Sequence, residues 1–207
     1  MPYPPAPWTL KGYALQTLQW VDVAKVRPLI PPQFNIISPW PNQTLGGLYI
    51  SSYQSGSILQ YNELIVVSGL VSYSGEWGGW ISHIYVDDED SVAGGRNIWG
   101  LPKELAEFHW EGTDTVTVSQ GEKVLCRLTY SQPSLSLPLS LNVPAFGYQP
   151  GRILHFKSQF NFNLSLIGSQ VEISPQSPFA HLNVNHPWFT LYQQSLNLVV
   201  DQPQTLA

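Results

Sequence analysis

The sequence predicts a mainly β protein, and three observations carry that prediction. Prolines and glycines punctuate the 207-residue chain, which contains 18 prolines and 16 glycines. Between these breaks the apolar residues mostly alternate with polar ones, a period of two that is typical of half-buried strands. The stretch from Leu64 to Val71 is instead almost continuously apolar, as expected of a strand that is covered on both faces.

Further strands follow from the same alternation. It is clearest in three segments, Thr115 to Ser119, Val124 to Tyr130 and Phe156 to Leu166. The glycines in residues 75–79 predict a turn between two long strands. Residues 133–141 also alternate but contain Pro138, so an edge strand or an extended connection fits them better than a central strand.

Two helices are predicted. The first covers residues 22–30, where Asp22 can cap the N-terminus and Pro31-Pro32 ends the helix. The second lies around residues 188–196. All 207 residues are predicted to form one domain, with residues 1–10 as an N-terminal arm.

Composition narrows the possible partners and surroundings. Charged residues make up 11% of the chain, against about 25% in an average globular protein, which predicts a large interior or a subunit interface and hence a homo-oligomer. The net charge of −5 comes without any basic run, which argues against a nucleic-acid partner and against binding to an anionic membrane surface.

Cysteine and histidine usage exclude other chemistries. Cys126 is the single cysteine, so neither an intrachain disulfide nor a thiolate metal cluster can form. The first residues lack a secretory pattern and no apolar run approaches 18 residues, so a cytoplasmic location is expected. His181 and His186 lack the glutamate of a zincin motif, and we expect no metal site.

One lysine stands in an unusual setting. Residues 93–104 read Ala-Gly-Gly-Arg-Asn-Ile-Trp-Gly-Leu-Pro-Lys-Glu, and Lys103 within them is one of only five lysines. Apolar neighbours strip water from an ammonium group and disfavour its charged form. The free amine that results is the nucleophile that Schiff-base chemistry requires.

Three motifs in a fixed order resemble the acetoacetate decarboxylase family over roughly residues 13–170. They are Tyr61-Asn62-Glu63, then Tyr85-Val86-Asp87, then Gly-Arg-x-x-x-Gly-x-Pro-Lys at 95–103. The resemblance implies a closed antiparallel β-barrel with a few peripheral helices, and a small-molecule carbonyl substrate without any cofactor. It also implies that Lys103 is the Schiff-base lysine, that Glu63 faces it across a cavity, and that Arg96 is the arginine of the third motif.

Two positions depart from the family pattern. Glu104 stands where decarboxylases carry a second lysine, and a neighbouring carboxylate favours the ammonium form, so only desolvation remains to activate Lys103. Trp20 stands where an arginine suited to a substrate carboxylate is expected, which weakens the case for acetoacetate itself as substrate.

Strand parity raises a question about the lysine. If residues 103–111 form one regular strand, Lys103 shares its face with Leu105, Glu107 and His109. Either this more polar face lines a polar cavity, or a bulge after Pro102 resets the alternation. The sequence leaves both open.

These features lead to one leading hypothesis and one rival. The chain is predicted to be a Schiff-base-forming carboxy-lyase that acts on a keto acid or related carbonyl compound, with decarboxylation as the main exit and aldol or dehydration chemistry as others. Lys103 is the nucleophile and Glu63 the acid/base; Arg96, Glu104 and Trp20 bind substrate or tune the site. Arg96 is expected to pair with acidic residues of the predicted solvated turn 87–90. The rival is a non-catalytic β-barrel module that binds an apolar small molecule.

Overall fold

Strands dominate the computed structural model, which describes residues 3–206. The prediction of a mainly β protein is confirmed. The strands are β1 Trp8–Asp22, β2 Asn35–Ile37, β3 Gln43–Tyr53, β4 Asn62–Tyr73, β5 Glu76–Val86, β6 Lys103–Leu105, β7 Glu107–Glu111, β8 Thr115–Gln120, β9 Lys123–Tyr130, β10 Leu137–Gln149, β11 Arg152–Ile167, β12 Ser169–Ile173, β13 Phe189–Val200 and β14 Gln204–Thr205. The helices are α1 Val23–Val26 and α2 Glu89–Trp99, with 3-10 turns at Arg27–Leu29 and Ala180–Leu182.

The strands form a large and a small sheet. The ten-stranded sheet runs β2-β4-β3-β1-β13-β11-β10-β5-β6, with β14 beside β11, and β5 also pairs with β4. The four-stranded sheet runs β12-β9-β8-β7. Most pairings are antiparallel, but β5 runs parallel to both β10 and β6, so the expectation of an entirely antiparallel arrangement is wrong at β5.

The main core lies between the two sheets. Leu64 and Val66 of β4 pack in one cluster with Val116 of β8 and Leu128 of β9, all fully buried. Cys126 of β9 is a buried free thiol in the same cluster. The alternate residues of β4 face a cavity on the other side of the large sheet, which explains why residues 64–71 are apolar almost without interruption.

Of the two predicted helices, the first is confirmed in part and the second is wrong. Asp22 caps α1 as expected, its Oδ1 accepting from Ala24 N at 2.8 Å. The α-helix ends at Val26 and continues as a 3-10 turn over Arg27–Leu29, because Pro28 has no N–H to donate an α-helical hydrogen bond. The helix predicted around residues 188–196 is wrong, since that segment lies in β13. An extra residue beside Ser195, whose φ is 49°, shifts the register there and disturbs the alternation on which the prediction relied.

Three other segment predictions can be compared with the structure. Strand β1 begins at Trp8, so the predicted arm of residues 1–10 is wrong for 8–10, while residues 1 and 2 lie outside the described part. Tyr3 and Ala6 pack against the chain's own Trp8 and Trp99 cluster. Residues 137–143 of β10 pair only with β11 among the described strands, an edge position that tolerates Pro138. The turn predicted at 75–79 is confined to residues 74–75.

Candidate active site

Helix α2 carries one side of the site, although no helix was predicted there. The acidic run 87–90, predicted as a solvated turn, is instead the helix N-terminus. Asp88 Oδ1 accepts from Ser91 N at 2.7 Å, and Glu89 and Asp90 in the first turn complement the helix dipole. The pair Gly94-Gly95 lowers intrinsic helix propensity, which concealed the helix.

Two glycines set the path from α2 to the lysine. Gly100 ends the helix in the left-handed region at φ 66°, a conformation that favours glycine. Gly95 faces the side chain of Lys103, and a Cβ at position 95 would lie 2.4 Å from Lys103 Cδ. The lysine stem therefore crosses the helix only because position 95 has no side chain.

Lys103 is buried, with 3% of its surface exposed, and its ammonium has three hydrogen-bond partners. Nζ donates to Glu63 Oε1 at 2.7 Å, to Ser91 Oγ at 2.9 Å and to Tyr61 OH at 3.4 Å. The Tyr61 ring centroid lies 4.9 Å from Nζ, within cation–π range. These partners satisfy all three donors of the group.

Glu63 is equally buried, at 4% exposure. Its second oxygen, Oε2, accepts from Tyr53 OH at 3.2 Å, and the hydroxyls of Tyr53 and Tyr49 are 3.4 Å apart. The residue before it is fixed by Asp87, whose carboxylate accepts from Asn62 N and from Asn62 Nδ2, both at 2.7 Å. Asp87 of the second sequence motif thus holds Asn62 of the first motif in place.

Three tyrosines, Tyr49, Tyr53 and Tyr61, form a tyrosine cluster around the carboxylate. Desolvation by burial raises the pKa of each phenol above its ordinary value of 10.0, and the charge of Glu63 raises all three further. All three therefore stay protonated at neutral pH and can act as hydrogen-bond donors.

The ion pair of Lys103 and Glu63 changes the electrostatic expectation for the lysine. Desolvation alone was expected to act on the amine, but the structure also places a carboxylate oxygen 2.7 Å from Nζ. The same carboxylate is positioned to accept the ammonium proton. Because both groups are buried, removing either would leave an uncompensated charge in the interior.

Arg96 and Glu104 lie outside the cavity. Arg96 Nε donates to the backbone carbonyl of Lys103 at 2.7 Å, and no ion pair joins it to residues 87–90 in the described part of the chain, so the expected pairing is wrong. Glu104 is exposed, and its carboxylate accepts from Gln120 Nε2 at 3.1 Å. In β6 it points to the face opposite Lys103.

The parity question has an answer that neither alternative anticipated. Residues 103–111 are two strands in different sheets: β6 belongs to the large sheet and β7 to the small one, with Ala106 between them. Lys103 therefore shares no face with Glu107 or His109. Trp20 packs edge-on against Trp188 at 4.8 Å between ring centroids and is not among the described residues that line the cavity.

The ion pair lies at one end of a cavity of about 360 Å³. Its walls are mostly apolar side chains from β1, β4, β5, β10, β11 and β13. They include Trp8, Leu10, Leu18, Ile65, Val67, Leu70, Trp77, Ile81, Ile84, Leu139, Leu141, Val143, Phe156, Phe160, Phe162, Leu191 and Leu198, and Trp99 of α2 and Leu101 add to them. The site therefore combines a buried amine and carboxylate with an apolar chamber.

Sequence reasoning missed Tyr49, Tyr53 and Ser91. The two tyrosines stand four residues apart in β3 and so share a face, a signal that could have placed them together. Ser91 lies four residues before Gly95 in α2. Recognising the helix would therefore have placed Ser91 on the same face as Gly95, against which the Lys103 stem lies.

Fold and site together define a β-sheet protein with a buried amine–carboxylate pair in an apolar cavity. The chain belongs to the acetoacetate decarboxylase family, whose model, described as "Acetoacetate decarboxylase (ADC)", matches residues 1–182.

Relatives of known name extend this finding. Protein NEOXANTHIN-DEFICIENT 1 of Arabidopsis thaliana is 31% identical over 106 residues, and the match covers 51% of this chain but only 37% of that protein. A crystal structure of acetoacetate decarboxylase from Legionella pneumophila has a TM-score of 0.79 at 18% identity, covering 100% of this chain and 90% of the other. The enduracididine biosynthesis enzyme MppR, complexed with the condensation product of pyruvate and imidazole 4-carboxaldehyde, has a TM-score of 0.70 at 13% identity, covering 100% and 91%. These structures share the fold.

Two kinds of feature are absent from residues 3–206. No helix there is long and apolar enough to cross a membrane. No group of three or more histidine, cysteine, aspartate or glutamate side chains in that range is arranged to hold a metal ion.

Proposed function

We propose that this protein is a Schiff-base-forming lyase that removes carbon dioxide from a 3-keto acid, with Lys103 as nucleophile and Glu63 as acid/base. The observation that carries the proposal is the buried pair itself, Nζ and Oε1 at 2.7 Å, opening onto an apolar cavity. Membership of the acetoacetate decarboxylase family supports the reaction class.

The first stage is imine formation. Glu63 takes a proton from the Lys103 ammonium, and the free amine adds to the substrate ketone. The carbinolamine hydroxyl then takes this proton back from Glu63 and leaves as water, which gives an iminium ion. Tyr61 and Ser91, which contact Nζ, hold the nitrogen in place during addition.

The second stage breaks the carbon–carbon bond. Electrons of the bond to the carboxylate move into the iminium, carbon dioxide leaves, and an enamine remains. Glu63, held through Oε2 by Tyr53, takes up a proton from solvent and donates it to the enamine carbon. Water then hydrolyses the iminium, which releases the ketone and restores the Lys103 ammonium. The apolar cavity favours the loss of carbon dioxide, because the carboxylate charge disappears as the carbon–carbon bond breaks.

Arg96 is proposed as a positioning residue. Its bond to the Lys103 carbonyl fixes the backbone from which the nucleophile projects. Glu104 and Trp20 take no part in the proposed mechanism, because neither side chain lines the cavity in the described structure.

Borohydride trapping tests the proposal. The protein is incubated with acetoacetate or a longer 3-keto acid, reduced, and mapped by mass spectrometry, and a reduced adduct on Lys103 is expected. Lys103→Arg, which keeps charge but has no free primary amine, should give neither adduct nor carbon dioxide. Lys157→Arg, at an exposed lysine, is the matched control and should behave as wild type. Turnover that survives in Lys103→Arg would overturn the imine mechanism.

A second candidate function is binding without catalysis. The apolar cavity and the internally neutralised ion pair favour it. In that case apolar ligands would quench the fluorescence of Trp8 and Trp99, which line the cavity, while no adduct would form on Lys103 with any carbonyl compound.

Two architectural proposals accompany the function. Since β5 pairs with both β4 and β10, we infer that the large sheet closes into a barrel around the cavity. The charge-poor composition, together with Leu135 and Leu137 exposed at 82% and 73%, supports a homo-oligomer. A monomer by light scattering would contradict the second proposal.

A further inference from the structure

The cavity continues well beyond the ion pair. Glu63, Ile65, Val67 and Leu70 of β4 all line it. At about 3.3 Å per residue, Leu70 lies roughly 20 Å along the strand from Glu63. The pairing of Leu70 with Gly79 and of Ser72 with Trp77 locates Trp77 at this far end.

The far end is open and its rim is apolar. Trp77, Leu139 and Val143 line the cavity, yet they are exposed at 51%, 39% and 39%. A molecule whose reactive group is at Lys103 can therefore extend toward solvent between apolar side chains.

Charge along this path is confined to the ion pair. Among the described lining residues Lys103 is the only cation and Glu63 the only anion, and they neutralise each other. A charged group placed midway along the cavity would have no counter-ion, which is costly in apolar surroundings. The part of a substrate that occupies this path must be uncharged.

The volume of the cavity limits the size of the molecule that it can hold. At ~30 Å³ for each water-sized group, about 360 Å³ holds roughly a dozen non-hydrogen atoms, whereas acetoacetate has about half as many. A short keto acid would leave most of the apolar wall without a partner.

We propose that the substrate is a long-chain carbonyl compound: its carbonyl lies at Lys103, roughly six carbons of an uncharged alkyl or alkenyl chain fill the path along β4, and a longer chain continues past the rim at Trp77. This inference rests on the proposed Schiff-base function and deepens it by defining the substrate class.

A chain-length series tests it. Acetoacetate, 3-oxooctanoate and 3-oxododecanoate are compared by borohydride trapping on Lys103 at a range of concentrations. Each buried methylene should lower the concentration for half-maximal adduct roughly threefold to fourfold, so 3-oxododecanoate should be trapped at the lowest concentration. Equal or better trapping of acetoacetate would overturn the chain inference and leave the Schiff-base function standing. An absence of adduct with all three compounds would instead overturn the proposed function.

A cavity variant gives an independent check. Val67→Phe narrows the path between Lys103 and the rim, and it should lower the trapping of 3-oxododecanoate relative to acetoacetate about tenfold or more. Val124→Phe makes the same change at an exposed position of the small sheet and should leave the ratio unchanged. An unchanged ratio in Val67→Phe would contradict a chain that lies along β4.

Discussion

The stem of Lys103 lies directly against Gly95, so that a Cβ at position 95 would come within 2.4 Å of Lys103 Cδ and 2.7 Å of Cε. Helix α2 and the side chain of Lys103 thus pack closely at one position, where the helix carries no side chain. Substitution there is a means of moving the amine without changing its chemistry.

Gly95→Ala should displace Lys103 Nζ from Glu63. A shift of about 1 Å in a reacting group can cost roughly 100-fold in rate, so the rate of borohydride-trapped adduct formation should fall at least tenfold. Gly168→Ala is the control, because its nearest neighbour is Ser131 Oγ at an ordinary 3.6 Å. An undiminished rate in Gly95→Ala would mean that the stem does not need this path.

Glu63→Gln should destabilise the fold as well as abolish proton transfer. It leaves a buried ammonium without its counter-ion, which costs about 3–5 kcal/mol in the free energy of unfolding. Combining it with Lys103→Met removes the uncompensated charge and should recover a large part of that loss. Urea unfolding at neutral pH measures both variants, and a Glu63→Gln protein as stable as wild type would contradict a charged pair.

Alkaline pH should unfold the protein through the tyrosine cluster. Burial raises the pKa of Tyr49, Tyr53 and Tyr61 above the ordinary value of 10.0, so the folded state holds protons that the unfolded state releases. Their contribution to stability is complete below pH 10 and is lost as pH rises above it. Phenolate absorbance should therefore lag behind that of the urea-unfolded chain and increase together with loss of near-ultraviolet circular dichroism. Ionisation of every tyrosine before unfolding would contradict the burial.

Removing the N-cap of α2 should have a smaller effect on the free energy of unfolding. Asp88→Ala removes the acceptor for Ser91 N and should lower the free energy of unfolding by about 1 kcal/mol. Asp88→Asn keeps an acceptor oxygen and should retain most of the stability. Because Ser91 also contacts Lys103 Nζ, adduct formation should slow in the alanine variant, and equal stability of both variants would argue against the cap.

Most strands and the pair of Lys103 and Glu63 could be predicted from the sequence. Features that depend on the register of paired strands could not. Lys103 and Glu63 could be named because their motifs are contiguous, and β4 because its residues 64–71 are apolar on both faces. Tyr49 and Tyr53 come to the carboxylate only through the pairing of β3 with β4, where Ser51 lies opposite Glu63. That pairing has no local signature.

Two wrong predictions have separate physical causes. Helix α2 contains Gly94 and Gly95 because Trp8 and the stem of Lys103 lie against them, so tertiary contact outweighed helix propensity. In β13 the shift at Ser195 broke the alternation that identifies a strand. In the helix, contacts with distant residues conceal the local pattern, and in the strand a local change of register does so.

The buried thiol of Cys126 gives the molecule an internal reporter. It lies in the core between the two sheets, and burial raises its pKa to about 12, so thiolate reagents can modify it only after that core opens. With no competing cysteine in the sequence, the labelling rate of this one sulfur directly measures how often the small sheet separates from the large one.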